Sequence, residues 1–310
     1  MTDQGFPDHW GWKFTERIHT KPEGPTDPTN NKLHSNFVVL VTGAGKGVGF
    51  GIAISYAKAG AKGIIISSRT QSNLDQLEAQ LKSINPGIEV LSQICDTTKD
   101  SDVEDLAKAT KERFGRLDAA IANAGIISKY ITNPTDNKEY MPVGIVSDPD
   151  LPRVIDTNVL GTWRVARAFV PLLQTTTDGP QAFAAITSAA SHMTDSQFTP
   201  IAYILSKIAI NRMMECIRND HEGIGAFAVH PGTVLTPQTE RHHETQLGEV
   251  WTDLLTDDPA LCGGFLTWLT KEKRPWLSGR YISSNWDVEE LHAKKGQIVE
   301  KDLLTFRMQV

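Results

Sequence analysis

A chain of 310 residues with 40% hydrophobic and 22% charged residues has the material for one large, well-buried α/β domain, which excludes a fibrous or unfolded class. The net charge of −6 offers no reason to expect a nucleic-acid partner. No apolar run reaches membrane-spanning length and the opening MTDQGFPDHWGWKF lacks the apolar core of a signal peptide, so no membrane partner and a cytoplasmic location are expected. Cys95, Cys216 and Cys262 lie far apart and read as reduced packing residues, with no disulfide, metal or nucleophile role.

Residues 1–36 stand apart as an N-terminal arm. Pro7, Pro22, Pro25 and Pro28 prevent any long element there. The cluster Phe6, Trp10, Trp12 and Phe14 reads as an arm packed on the domain surface or on a neighbouring subunit; a lid over the active site is the alternative.

From Asn36 onward strands and helices alternate. The apolar runs 37–42, 63–68, 88–94, 118–122, 182–187 and 226–230 read as buried strands, and 281–283 as a last one. Helical periodicity covers 47–59, 71–84, about 101–114, about 151–175 and 201–220, while 126–149, with Pro134, Pro142 and Pro149, is irregular. Solid apolar strands alternating with helices predict a parallel sheet covered on both faces. The fold class is therefore α/β, a Rossmann-type doubly wound sheet in a single domain over 37–285, with 286–310 as a C-terminal tail. Its ligand crevice lies beyond the strand C-termini.

The turn Thr42-Gly43-Ala44-Gly45-Lys46-Gly47-Val48-Gly49 falls between a strand and a helix. Glycines there permit a tight turn and close approach of backbone N–H groups to a pyrophosphate at a helix N-terminus. At the end of the second strand stand Ser67, Ser68 and Arg69. No carboxylate is present to bind ribose hydroxyls, whereas Arg69 and Lys46 suit a 2′-phosphate, so NADP(H) is the expected cofactor. Further along, Tyr203 and Lys207 lie four residues apart on a helix, which puts a phenol and an ammonium on one face.

Taken together, these motifs resemble the short-chain dehydrogenase/reductase superfamily in its short, single-domain form. Asp96 is similar to the family's adenine-contacting acid, Asn123-Ala124-Gly125 to its N-A-G turn, and Pro231, Gly232, Val234 and Thr236 to the loop that meets the nicotinamide. Asn158, within Asn158-Val159-Leu160-Gly161, resembles the catalytic asparagine, and Ser188, Tyr203 and Lys207 complete the catalytic set. The matches run in family order over about four-fifths of the chain. The intervals Gly125–Asn158 and Ser188–Tyr203 are longer than the family pattern, and both lie where the family builds its substrate pocket. The tail Gly279-Arg280-Tyr281 and Asn285-Trp286-Asp287-Val288 is similar to members from filamentous fungi.

The resemblance implies interconversion of a ketone and a secondary alcohol on a bulky, largely apolar small molecule. Tyr203 would be the general acid/base, its pKa lowered by Lys207; Lys207 would also bond the nicotinamide ribose. Ser188 would hold the substrate oxygen, and Asn158 would anchor a proton-supplying water relay. A redox-neutral cyclase or isomerase, or a non-catalytic NADP(H)-binding regulator, are the alternatives. Met193, Phe198, Met141 and Trp251 are candidates for an apolar pocket or for loop anchors, His192 is expected to be solvated with substrate contact as the alternative, and His242-His243-Glu244 lacks the third partner of a metal site. A homodimer or homotetramer through the helices 151–175 and 201–220 is implied, with Val159, Trp163, Ala166 and Val170 on the candidate stripe.

Overall fold

The computed structural model describes residues 7–133, 135–241 and 252–308. Phe6, Pro134, His242-His243-Glu244 and Trp251 lie outside them. Seven parallel strands form one sheet: β1 (Val38–Thr42), β2 (Gly63–Ser68), β3 (Glu89–Ile94), β4 (Ala119–Ala122), β7 (Ala182–Ile186), β8 (Gly225–His230) and β9 (Arg280–Ser283), in the order β3-β2-β1-β4-β7-β8-β9. The direction of winding reverses between β1 and β4, which opens a crevice at their C-terminal ends.

Alternation explains why each strand is apolar throughout. Val39, Val41, Ile64 and Ile66 face one layer, built on α1 (Gly47–Lys58), α2 (Gln71–Ile84) and the helix Leu261–Thr270. Val38, Leu40 and Ile65 face the other, with α3 (Asp100–Phe114), α5 (Gly161–Thr175) and α6 (Ile201–Asp220). Both faces are sealed, and each fully buried aliphatic side chain contributes roughly 1.5–3 kcal/mol. At the opposite end of the sheet from the crevice, the fully buried Asp118 accepts from Val38 N (2.8 Å), His34 Nε2 (2.9 Å) and Arg116 (2.8 and 3.0 Å), tying β4 to β1.

Several features depart from the sequence expectation. The helix over 151–175 is not uniform: α4 (Leu151–Ile155) passes into a π-helical segment, Asp156–Leu160, before α5. The irregular stretch contains a short antiparallel pair, β5 (Ile131–Thr132) with β6 (Glu139–Tyr140). The helix Leu261–Thr270 went unread because Gly263 and Gly264 depress helix propensity. Those glycines serve packing: a Cβ at Gly263 would run into Ser55 and the Gly51 carbonyl of α1.

Cys216 is also a correction, since it lies exposed on α6 while Cys95 and Cys262 are buried. On the candidate oligomer stripe Ala166 and Val170 belong to the core, whereas Trp163 is exposed.

The arm is held by the chain's far end. Trp286, itself buried, donates from Nε1 to Gly11 O (3.0 Å), and Phe14 packs on its ring at 4.9 Å. Ile18 bridges to Trp286, and Arg17 pairs with Asp287 (3.0 Å) and Glu290 (2.8 Å). His19 lies 2.8 Å from Asp287.

Candidate active site

Beyond the C-terminal ends of the central strands lies a cleft of about 490 Å³. Every candidate cofactor residue lines it: Gly43, Lys46, Gly47, Val48, Gly49, Ser68, Arg69, Asp96, Asn123, Gly125, Pro231, Gly232, Val234 and Thr236, with Tyr203 and Lys207.

Its floor is a glycine cradle. Gly43 and Gly47 take φ of 64° and 55°, the left-handed region open to glycine. A Cβ at Gly49 would collide with Asn123 Nδ2, which donates to Thr42 O (2.9 Å) and Gly43 O (3.2 Å). Asn123 thereby fixes the first bend of the turn. A Cβ at Gly45 would sit 2.9 Å from Ser68 Oγ, so the turn also presses on the end of β2. The free backbone N–H groups of the α1 N-terminus follow, as an anion requires.

Arg69 and Lys46 are exposed at the mouth. At Asp96 burial opposes ionisation, but hydrogen bonds from Thr98 N (3.1 Å) and Oγ1 (2.8 Å), with the charges of Arg69 and Lys99, hold the carboxyl below its usual range. This geometry fits a dinucleotide.

On the other side α6 delivers Tyr203 and Lys207. Lys207 is buried, and its Nζ donates to Ile186 O at 2.8 Å and stands 5.3 Å from the Tyr203 ring centroid. Burial moves both groups toward their neutral forms: Tyr203 rises to about 12, eased by a hydrogen bond with Ser188, and Lys207 falls to about 7. At Tyr203 burial outweighs any lowering by the neighbouring ammonium, so the net movement is upward, opposite to the expected direction. Ser188 Oγ accepts from Ala190 N (3.2 Å), which leaves its proton to donate into the cleft.

Asn158 does not line the cleft. It is fully buried behind Gly125, where its Oδ1 accepts from Ile126 N (2.8 Å) and its Nδ2 donates to Ile126 O (2.9 Å) and Ser206 Oγ (3.0 Å). The π-helical turn places it there; such turns in α-helices are frequent at functional sites. Its carboxamide joins the loop after β4 to α6.

Other residues contribute that the sequence analysis either did not name or, for the arm, placed over the active site only as an alternative. Trp10 and Trp12 of the arm line the cleft, as does His230, a buried neutral imidazole pushed down to about 3 by burial. Asp257 and Asn285 pin the loop after β8: Asp257 Oδ2 accepts from Thr233 N (2.6 Å) and from Asn285 Nδ2 (2.9 Å). Gly232, at φ 91°, leaves room for that carboxylate. Met193 and Phe198 line the cleft, whereas Met141 is buried elsewhere. His192, expected in solvent, is packed between Tyr281 (4.3 Å) and Phe306 (5.2 Å). Only the pairing of two tryptophans in a proline-rich segment hinted at the arm's part.

Comparison with known proteins places the chain in a family. A family model described as short chain dehydrogenase matches residues 37–247. The chain is 35% identical to short chain dehydrogenase pgmD of Aspergillus terreus, covering 98% of this chain and 96% of that protein. It is 31% identical to short chain dehydrogenase mpl6 of Monascus purpureus, over 98% and 99% of the two chains. Among solved structures, the Pseudomonas aeruginosa RhlG/NADP active-site complex superposes with a TM-score of 0.69 at 20% identity, covering 81% of this chain and 95% of that one.

Fold and site together define an oxidoreductase of the nicotinamide-dinucleotide type. The chain belongs to the short chain dehydrogenase family. Among the described residues no helix is long and apolar enough to cross a membrane.

Proposed function

We propose that this chain is an NADPH-dependent oxidoreductase that interconverts a ketone and a secondary alcohol on a bulky, largely apolar small molecule. The observation that carries the reading is the convergence of Ser188, Tyr203 and Lys207 on one wall of the cleft that holds the glycine cradle. Arg69 and Lys46 at its mouth, and the absence of a carboxylate at the end of β2, favour the 2′-phosphate of NADP(H).

NADPH, when bound, supplies the hydride to the carbonyl carbon. Ser188 Oγ–H holds the substrate oxygen, and Tyr203, a phenol protonated at neutral pH and held more firmly so by burial, passes its proton to that oxygen as the C–O double bond becomes single. Lys207 then offsets the phenolate left behind. Asn158 acts as a positioning residue, through Ile126 and Ser206; a water relay through its backbone belongs to this proposal.

Exposed apolar pairs on the two long helices, Leu160 with Trp163 and Leu205 with Ile208, support a homodimer or homotetramer, which light scattering checks. The three free cysteines suit a reducing, cytoplasmic setting.

The test follows 340 nm absorbance while a ketone panel is incubated with NADPH or NADH. NADPH should be consumed in step with alcohol formation, with a higher kcat/KM than NADH. Product formed without loss of absorbance would instead establish redox-neutral chemistry.

A further inference from the structure

Two tryptophans from the N-terminal arm form part of the cleft wall. Trp12 places its ring centroid 6.3 Å from that of His230, at the end of β8. The turn Asp8–Trp10 packs against the turn Ala189–His192, which starts directly after Ser188. The arm therefore reaches the end of the cleft formed after β7 and β8, across the sheet from Arg69 at the end of β2. Trp10 is buried and Trp12 half-buried.

Apolar and uncharged polar side chains line this end of the cleft among the described residues. Ile127, Met193, Phe198 and Leu254 contribute apolar surface to the same cleft as the tryptophans. Among the described lining residues Lys46, Arg69 and Asp96 sit on the cofactor side, and Lys207 is bound to Ile186 O. His230 is neutral. A charged substrate would lose its hydration there without gaining a partner of opposite charge among the described residues. A flat conjugated ring would gain stacking on an indole, about 0.5–1.5 kcal/mol beyond its area burial.

The wall is also built to stay in place. Trp286 holds Gly11, the residue between the two tryptophans, and Asn285 Nδ2 donates to His19 O (3.0 Å) while also holding Asp257. Rigid anchoring lowers the ordering cost of binding.

We propose that Trp12, backed by Trp10, is the substrate-recognition wall of this enzyme, and that its substrate is a flat, uncharged, conjugated ring ketone stacked on that wall. The substrate class rests on the ketone–alcohol reading above; the wall does not.

Two measurements separate them. Calorimetric titration of the NADP⁺-saturated protein with 2-naphthol, a flat non-reacting ring, should show binding that weakens about tenfold in Trp12→Ala and returns to within about threefold of the parent in Trp12→Phe. Kinetics with 1-tetralone and with flexible 2-octanone should show the ratio of their kcat/KM values falling about tenfold in Trp12→Ala, through KM for the flat ketone. Affinity for NADP⁺, measured by the same calorimetry, controls for a misfolded variant.

No binding of 2-naphthol to the parent, or equal binding to parent and Trp12→Ala, overturns the wall. An unchanged ketone ratio overturns the flat-ring substrate class. If 2-naphthol affinity falls in Trp12→Ala but neither ketone oxidises NADPH in the parent, the wall stands and the ketone reading fails.

Discussion

Asn285 Nδ2 lies 2.9 Å from Asp257 Oδ2 and 3.0 Å from the carbonyl of His19, so one carboxamide joins the loop after β8 to the N-terminal arm. The same carboxylate oxygen receives Thr233 N at 2.6 Å. Cofactor side and substrate side of the cleft thus share a buried anchor. Asp257→Ala leaves the Thr233 N–H and the Asn285 amide without their acceptor, at a cost of about 1–3 kcal/mol. Asp257→Asn keeps an acceptor and removes a charge that burial disfavours, since burial holds this carboxyl above its usual range. Thermal melting should rank the proteins with Asn near the parent and Ala clearly below. A variant with Ala as stable as the parent would show that the anchor carries no weight.

Tyr203→Phe removes the proton donor while keeping the ring. Turnover should fall by about 10²–10⁴-fold, the usual worth of a positioned acid. The Kd for NADPH, read by fluorescence, should stay within about threefold, because stacking and phosphate contacts lie elsewhere in the cleft. Retained turnover would remove Tyr203 from the acid's role.

Lys207 gives a pH signature that needs no substrate. Its pKa falls from 10.5 to about 7 on folding, so between these values the unfolded chain binds the proton that the folded chain releases. The cost of burying the ammonium is complete below about 7 and gone above about 10.5; stability relative to Lys207→Met should rise with pH across that window, by up to about 1.4 kcal/mol per unit. Urea midpoints of the two proteins across the window provide the check. A constant difference between them would mean that Lys207 is not desolvated as described.

Removing Arg69 together with Lys46, both to Ala, should cost NADPH about tenfold or more in kcat/KM and leave NADH within about threefold. Added salt should shrink the parent's preference, because both cations stand exposed at the mouth. Equal losses with both cofactors would place the two cations on the shared pyrophosphate instead.

Much of this was legible in sequence because local rules governed it. Sealed parallel strands must be apolar on both faces, and the turn at Gly43–Gly49 tolerates no side chains where Asn123 and Ser68 press in. Tyr203 and Lys207 share a helix, so spacing alone placed them together. The remainder depended on distant partners. Asp257 looks like any loop carboxylate until Asn285 and Thr233 surround it. The helix Leu261–Thr270 is concealed by glycines whose value lies in a close crossing with α1. The extra turn around Asn158 follows from tertiary packing rather than composition. Tyr203 and Lys207 were placed correctly, yet their proton affinities followed from burial that no spacing reveals.

The bond from Trp286 to Gly11 spans 275 residues of sequence. During synthesis the arm leaves the ribosome long before its anchor exists, and contacts of such separation close late because the intervening loop must first be ordered. The phosphate-binding turn and the Tyr203 helix can form while the tryptophan wall is still detached. The part of the cleft wall that the arm contributes is therefore among the last pieces of this fold to be assembled.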